Sequence, residues 1–186
     1  MSFEIVEKLE KKIGNFFGAP YVICLDACTH GIELCLRYQK VSKIVVPKRT
    51  YISIPFLADK LNIKLEWKDE EWQDYYLLND EFKPVYDAAV LWKRNSYIPG
   101  SFMCLSFQYQ KHLSLGRGGA ILCDNKNDAI SLKKMSYDGR IPSVPWRNQN
   151  IETFGCHYYM TPETAQIGID KFDDAVKKKP KKWVIS

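Results

Sequence analysis

Apolar residues recur at Phe3, Val6, Leu9, Ile13 and Phe16/Phe17, a three-to-four spacing that places them on one face of a helix. Ser2 stands where an N-cap belongs, and Gly18-Ala19-Pro20 marks the helix end. The period then changes. Tyr21-Val22-Ile23-Cys24-Leu25 is a short apolar run that predicts a strand, and Asp26 to Gly31 leads into a helix carrying Ile32, Leu34, Cys35 and Leu36. The same alternation continues with a strand at Ile44 to Pro47, a short helix over Ser53 to Leu61 and a strand at Lys64 to Trp67. Lys68 to Glu81 mixes charged and aromatic residues without a period and reads as a loop.

In the second half, Pro84 to Val90 predicts a strand with Asp87 near its C-terminal end, and Phe102-Met103-Cys104-Leu105 and Ala120-Ile121-Leu122-Cys123 predict two buried strands. A helix capped by Asn125 or Asn127 runs to Met135, Ile141 to Thr153 is a loop, and Thr161-Pro162-Glu163 opens a last helix. That helix sets Ala165, Ile169, Phe172 and Val176 on one face. Strands alternating with helices imply an α/β fold with a central sheet.

Composition bounds this picture. The 186 residues, 46% of them hydrophobic, suffice for one domain with its own core. The net charge of +5 is concentrated at Lys177-Lys178-Lys179-Pro180-Lys181-Lys182, so we expect a compact domain over residues 1–176 and a solvated basic tail over 177–186. No aromatic interleaving accompanies the lysines, which argues against a nucleic-acid partner. No signal peptide or membrane-length apolar run is expected, and six cysteines without paired spacing read as reduced core residues of a cytoplasmic protein. A metal site from Cys24, Cys28 and His30 is disfavoured, because a strand-to-helix turn would not converge them.

The chemistry concentrates in Ser106 to Gly119, between the two buried strands. Gly116, Gly118 and Gly119 allow a tight loop beside a ligand, and Lys111 within it offers a primary amine that can condense with an aldehyde to form a Schiff base. Asp87 stands at a strand end, where open α/β sheets place ligand-contacting groups. A pyridoxal phosphate site needs both: a lysine for the aldehyde and a carboxylate for the ring nitrogen. Earlier in the chain, the turn before Thr29 offers free backbone N–H groups at a helix start, an anion site or an ordinary cap.

These residues resemble the DegT/DnrJ/EryC1/StrS sugar aminotransferases. Asp87-Ala88-Ala89 is similar to their Asp-Ala-Ala element, and Ser106-Phe107 through Lys111 to Gly118-Gly119 is similar to their Ser-Phe, Lys and Gly-Gly element. The resemblance runs from about Phe3 to Phe172. It implies a three-layer α/β/α fold with a mixed, mainly parallel sheet: the large domain of a pyridoxal phosphate-dependent transferase, shortened and without the small C-terminal domain. It implies Lys111 as the catalytic lysine. Thr29, His30 and Ser106 would lie near the cofactor phosphate, Tyr51 would stack on the ring, Asp87 would hold its nitrogen, and His157 would reach a partner's cofactor.

Arg117 would clamp a phosphate or face solvent, and Tyr159 would stand on the substrate side. The implied reaction moves an amino group, glutamate being the expected donor, to a keto group of a nucleotide-linked sugar in a cytoplasmic homodimer. The chain also departs from the pattern. Cys28 replaces a Gly, Val90 replaces a Gln or His, Tyr159 replaces an Arg, and a β-α unit is missing between Trp67 and Asp87. These departures leave open a cofactor-binding remnant that partners or regulates a full-length enzyme. Dehydration chemistry is disfavoured by Lys111, since relatives performing it carry His there.

Overall fold

The computed structural model describes residues 2–181 and 183. Helix α1 spans Glu4–Phe17, strand β1 Tyr21–Leu25, α2 Cys28–Gln39, β2 Lys43–Pro47, α3 Ser53–Leu61 and β3 Lys64–Lys68. They are followed by β4 Tyr76–Asn79, β5 Val85–Asp87, β6 Phe102–Ser106, β7 Gly119–Cys123, α4 Lys126–Ser136 and α5 Pro162–Lys177. A 3-10 turn at Trp146–Asn148 interrupts the loop expected over Ile141 to Thr153, and the Gln149 side chain closes that loop onto Ile141 and Val144.

Period-two alternation divides the sheet between two cores. Val22 and Cys24 of β1, Met103 and Leu105 of β6, and Ala120 and Leu122 of β7 face α1 and α5. Their neighbours Ile23, Leu25, Cys104, Ile121 and Cys123 face α2, α3 and α4. The result is the expected three-layer α/β/α arrangement. Each fully buried Leu, Ile or Phe contributes about 2 kcal/mol, which is why these short strands hold without long ladders.

The helix ends follow local chemistry. Gly18 takes φ 79° and returns its N–H to the Gly14 carbonyl, Asn125 accepts from the N–H groups of Asn127 and Asp128, and Thr161 accepts from Thr164. Ser2 is a correction. The α1 cap position falls on Phe3, which makes no side-chain cap, and the Ser2 hydroxyl donates to Glu4 instead.

Strand β4 is a second correction, since it lies inside the segment read as a loop. Charged residues on both sides hid a run of only four positions. The strand order is β1-β7-β6-β5-β4, and the parallel β2-β3 pair stands beside β4, whose Asn79 amide donates to the Lys43 carbonyl. Between Trp67 and Asp87, where the resemblance implied a missing β-α unit, the chain thus has a strand and no helix. Five residues, Asp80 to Pro84, are enough for a hairpin but too few for a crossover, so β4 pairs antiparallel with β5. The sheet is mixed, as expected, but the mainly parallel character is a correction: among the described strands β1/β7, β6/β7 and β4/β5 pair antiparallel, and β5/β6 and β2/β3 pair parallel.

The basic tail is exposed, and its backbone is also bonded to the rest of the chain. Nε2 of the buried His112 ring lies 3.0 Å from the Lys179 carbonyl and 2.9 Å from the Lys181 nitrogen, donating to the one or accepting from the other according to its tautomer, and the Lys181 ammonium donates to the Gln110 carbonyl. The segment is thus pinned to the Lys111 loop by its backbone while residues 177–181 stay exposed to solvent. Lys182 of the lysine run and residues 184–186 of the predicted tail lie outside the described residues.

Candidate active site

The C-terminal ends of β1, β5 and β6 open into one cavity of about 460 Å³, within the range of small-molecule sites. Asp87 and Lys111 both line it. Asp87 is the last residue of β5 and only 5% exposed. Its carboxylate accepts from the Ala89 N–H at 2.9 Å and from the Tyr76 hydroxyl at 2.7 Å. Burial pushes its proton affinity above the ordinary carboxylate value, while Tyr76, the Ala89 N–H and the Lys111 charge pull the other way.

Lys111 is held by its loop. The Phe107 N–H donates to Gly118, Tyr109 to Gly116 and Lys111 to Gln108, while Phe107 and Leu113 anchor the loop in the core. Burial lowers the lysine pKa from its usual value; Cys28 and Asp87 act to raise it, and Lys181 reinforces the fall. A larger share of free amine is the consequence, which is what a nucleophilic lysine requires. Its Nζ lies 4.3 Å from the centre of the Trp183 ring. The Trp183 indole nitrogen is buried without a hydrogen-bond partner.

Gly119 is where loop and helix meet. A Cβ there would lie 2.4 Å from the Cys28 nitrogen and 2.6 Å from the Ala27 carbonyl carbon, so only glycine lets β7 pass beneath the start of α2. Gly119→Ala is expected to destabilise the fold by about 1–3 kcal/mol, read as a lower denaturation midpoint. An unchanged midpoint would contradict this packing.

The start of α2 supplies the anion end of the cavity. Its N-cap is Ala27, which makes no side-chain cap, and its first turn carries no acidic residue, so the helix dipole is uncompensated there. Thr29 is therefore not a cap. Its hydroxyl lies 2.8 Å from that of Ser53, and both line the cavity together with Ser106. Cys28 causes no obstruction, because its thiol is buried and donates to the Cys104 carbonyl.

Five expected site residues lie elsewhere or differently. His30 points out of the cavity, bonding Asp26 at 2.6 Å and stacking on Tyr158 at 3.7 Å, because its helix position turns it away from the strand ends. His157 pairs with Asp138, and Tyr159 packs against Phe3 and Tyr137, so neither reaches the cavity of its own chain. Tyr51 lies on the rim and is 72% exposed. Arg117 also lines the rim, where it pairs with Asp26 at 2.9 Å and braces the turn before α2.

Sequence reasoning missed Tyr76, Trp72, Ser53 and Trp183, all of which line the cavity. Tyr76 and Trp72 sat in the supposed loop and Trp183 in the supposed tail. Ser53, at the start of α3, was legible only as a helix boundary. Among the described residues no group of three His, Cys, Asp or Glu is placed to hold a metal ion.

The donor set fits pyridoxal 5'-phosphate. Asp87 is a buried carboxylate that a cationic ring nitrogen would neutralise, Lys111 is a half-buried amine for the aldehyde, and the hydroxyls of Thr29, Ser53 and Ser106 stand beside free N–H groups for the phosphate.

An α/β/α sheet with such a cavity at its strand ends is the large domain of the pyridoxal phosphate-dependent transferase fold. AtS13 from Actinomadura melliaura overlays with a TM-score of 0.80 at 16% identity, over 94% of this chain and 61% of that one. The sugar aminotransferase CalS13 from Micromonospora echinospora gives 0.75 at 13% identity, over 92% and 60%. NtdA from Bacillus subtilis, solved with bound cofactor PMP, gives 0.74 at 19% identity, over 92% and 48%. The chain thus spans about three fifths of the length of the first two and half of the third. In sequence it belongs to the DegT/DnrJ/EryC1/StrS aminotransferase family, whose model matches residues 1–77 and 98–184. The unmatched stretch, 78–97, holds the end of β4, the turn, β5 and Asp87, so the role of Asp87 rests on its place in the cavity. No curated protein sequence matches the chain.

Proposed function

We propose that this protein is a pyridoxal phosphate-dependent aminotransferase that takes an amino group from an amino acid, with glutamate as donor, and gives it to a keto group of a nucleotide-linked sugar. The observation that carries the reading is the placing of Lys111 and Asp87 in one cavity. The cofactor, when bound, supplies reversible condensation with primary amines and a ring that accepts electrons.

The chain supplies the rest. Asp87 would pair with the ring nitrogen and favour a positive charge on it. The hydroxyls of Thr29, Ser53 and Ser106, with the first N–H groups of α2, hold the phosphate. Lys111 would hold the cofactor until an amino donor displaces it, and its freed Nζ would then be placed to carry a proton from the donor Cα to the cofactor and, in the second half-reaction, from the cofactor to the product carbon, a role worth about 10²–10⁴ in rate. Arg117 and the exposed Tyr51 stand on the side from which a substrate enters.

A homodimer accompanies this reading. Tyr51, Ile52 and Phe56 leave a large apolar surface exposed beside the cavity, as a face covered by a second copy would. His157, exposed and outside its own cavity, would then serve the partner's site.

The test is a half-reaction. Protein loaded with cofactor should lose its visible band on addition of glutamate and regain it with a keto sugar nucleotide. A band that persists through glutamate addition would exclude the enzyme and leave a binding remnant.

A further inference from the structure

Tyr76 has no place in the sequence reading, yet it makes the shortest hydrogen bond to Asp87. The hairpin explains how. Five residues turn β4 back on β5, and the antiparallel register sets Tyr76 directly opposite Asp87. A crossover helix would have delivered the strand in the other direction and a different residue to that position. Trp72 packs on the Tyr76 ring at 4.8 Å and ties itself to the Arg49 carbonyl, and Tyr76 is left only 4% exposed.

Hydrogen counting orders the contacts. The Tyr76 hydroxyl has one proton, and an ionised Asp87 can only accept, so Tyr76 donates to Asp87 at 2.7 Å. Thr50 lies 2.6 Å from the same phenolic oxygen and must therefore donate to it. Each donation strengthens the next.

We propose that Tyr76 is a positioning residue: through the chain Thr50 to Tyr76 to Asp87 it keeps the buried carboxylate ionised and aimed at the cofactor ring nitrogen. This rests on the cofactor reading given above. The other titratable groups facing Asp87 are Lys111 from the β6–β7 loop, Cys28 from α2 and Cys104 from β6. Burial raises both thiols well above the usual cysteine range, so they are neutral and do not compete. It also drives the Tyr76 hydroxyl far above its ordinary range, so it remains a donor at every working pH. Lys111 favours the carboxylate too, but it is to be consumed by cofactor, leaving Tyr76 and the Ala89 N–H as the fixed donors.

The test is a carboxyl ¹³C NMR titration of the cofactor-free protein, with the Asp87 signal assigned by its loss in Asp87→Asn. Tyr76→Phe should raise the Asp87 midpoint by about one pH unit, since a donor to the charged form is lost. Thr50→Val should raise it by less. In loaded protein, the acid limb of cofactor binding should move the same way.

A folded Tyr76→Phe with an unmoved midpoint would overturn the proposal. Should Tyr76→Phe fail to fold, Thr50→Val decides: a raised midpoint supports the chain and an unmoved one contradicts it. The cofactor reading fails separately. Wild-type protein that binds no cofactor would refute that reading, while the cofactor-free titration still reports whether Tyr76 governs Asp87.

Discussion

Lys111→Ala should leave a folded protein that shows no visible cofactor band, and transamination should fall by roughly 10³-fold or more, because one side chain supplies both the covalent attachment and the proton transfer. Lys111→Arg sharpens the result. The guanidinium keeps a cation near Trp183 but stays charged and cannot condense with an aldehyde, so the band should be lost with the fold intact. Absorption spectra, bleaching by borohydride and thermal unfolding check this together. A variant that retains a borohydride-sensitive band would show that a different lysine does the chemistry.

Asp87→Asn should have the second-largest effect, with the opposite signature: a band that persists and a rate that collapses. Lys111 is untouched, so covalent attachment survives, but the ring nitrogen loses the carboxylate that holds its proton. A fall in kcat of roughly 10²–10³ is expected, the scale of removing a preorganised electrostatic group. Stability should hold or rise in the empty protein, since a buried carboxylate without a bonded cation is costly to keep ionised. Turnover near wild type would remove Asp87 from the mechanism.

The fold was legible wherever a run had its own period. The continuous apolar run Tyr21–Leu25 matches a strand buried on both faces, and the helical spacing of Phe3 to Phe17 matches a helix buried on one. It failed where tertiary context decides. Four residues of β4 cannot show a period among charged neighbours, and the cost of missing them was Tyr76. The Lys179–Lys181 segment reads as solvated by charge, but its backbone is held by His112, a contact spanning 67 residues that no local pattern carries.

The candidate site divides in the same way. Lys111, Asp87, Thr29 and Ser106 all line the cavity, where their positions at strand and helix ends put them. His30 was misplaced because motif position says nothing about which way a helix has turned, and here the side chain pairs with Asp26 instead. Ser53 and Tyr76 come from elements whose relation to the cavity exists only after folding.

The central claim is that Lys111 and Asp87 grip one cofactor from two sides of one cavity. Borohydride reduction of the loaded protein, followed by digestion and mass mapping, tests it most directly. A pyridoxyl group confined to the peptide containing Lys111 is the predicted result. A label scattered over surface lysines, or none retained at all, would contradict it.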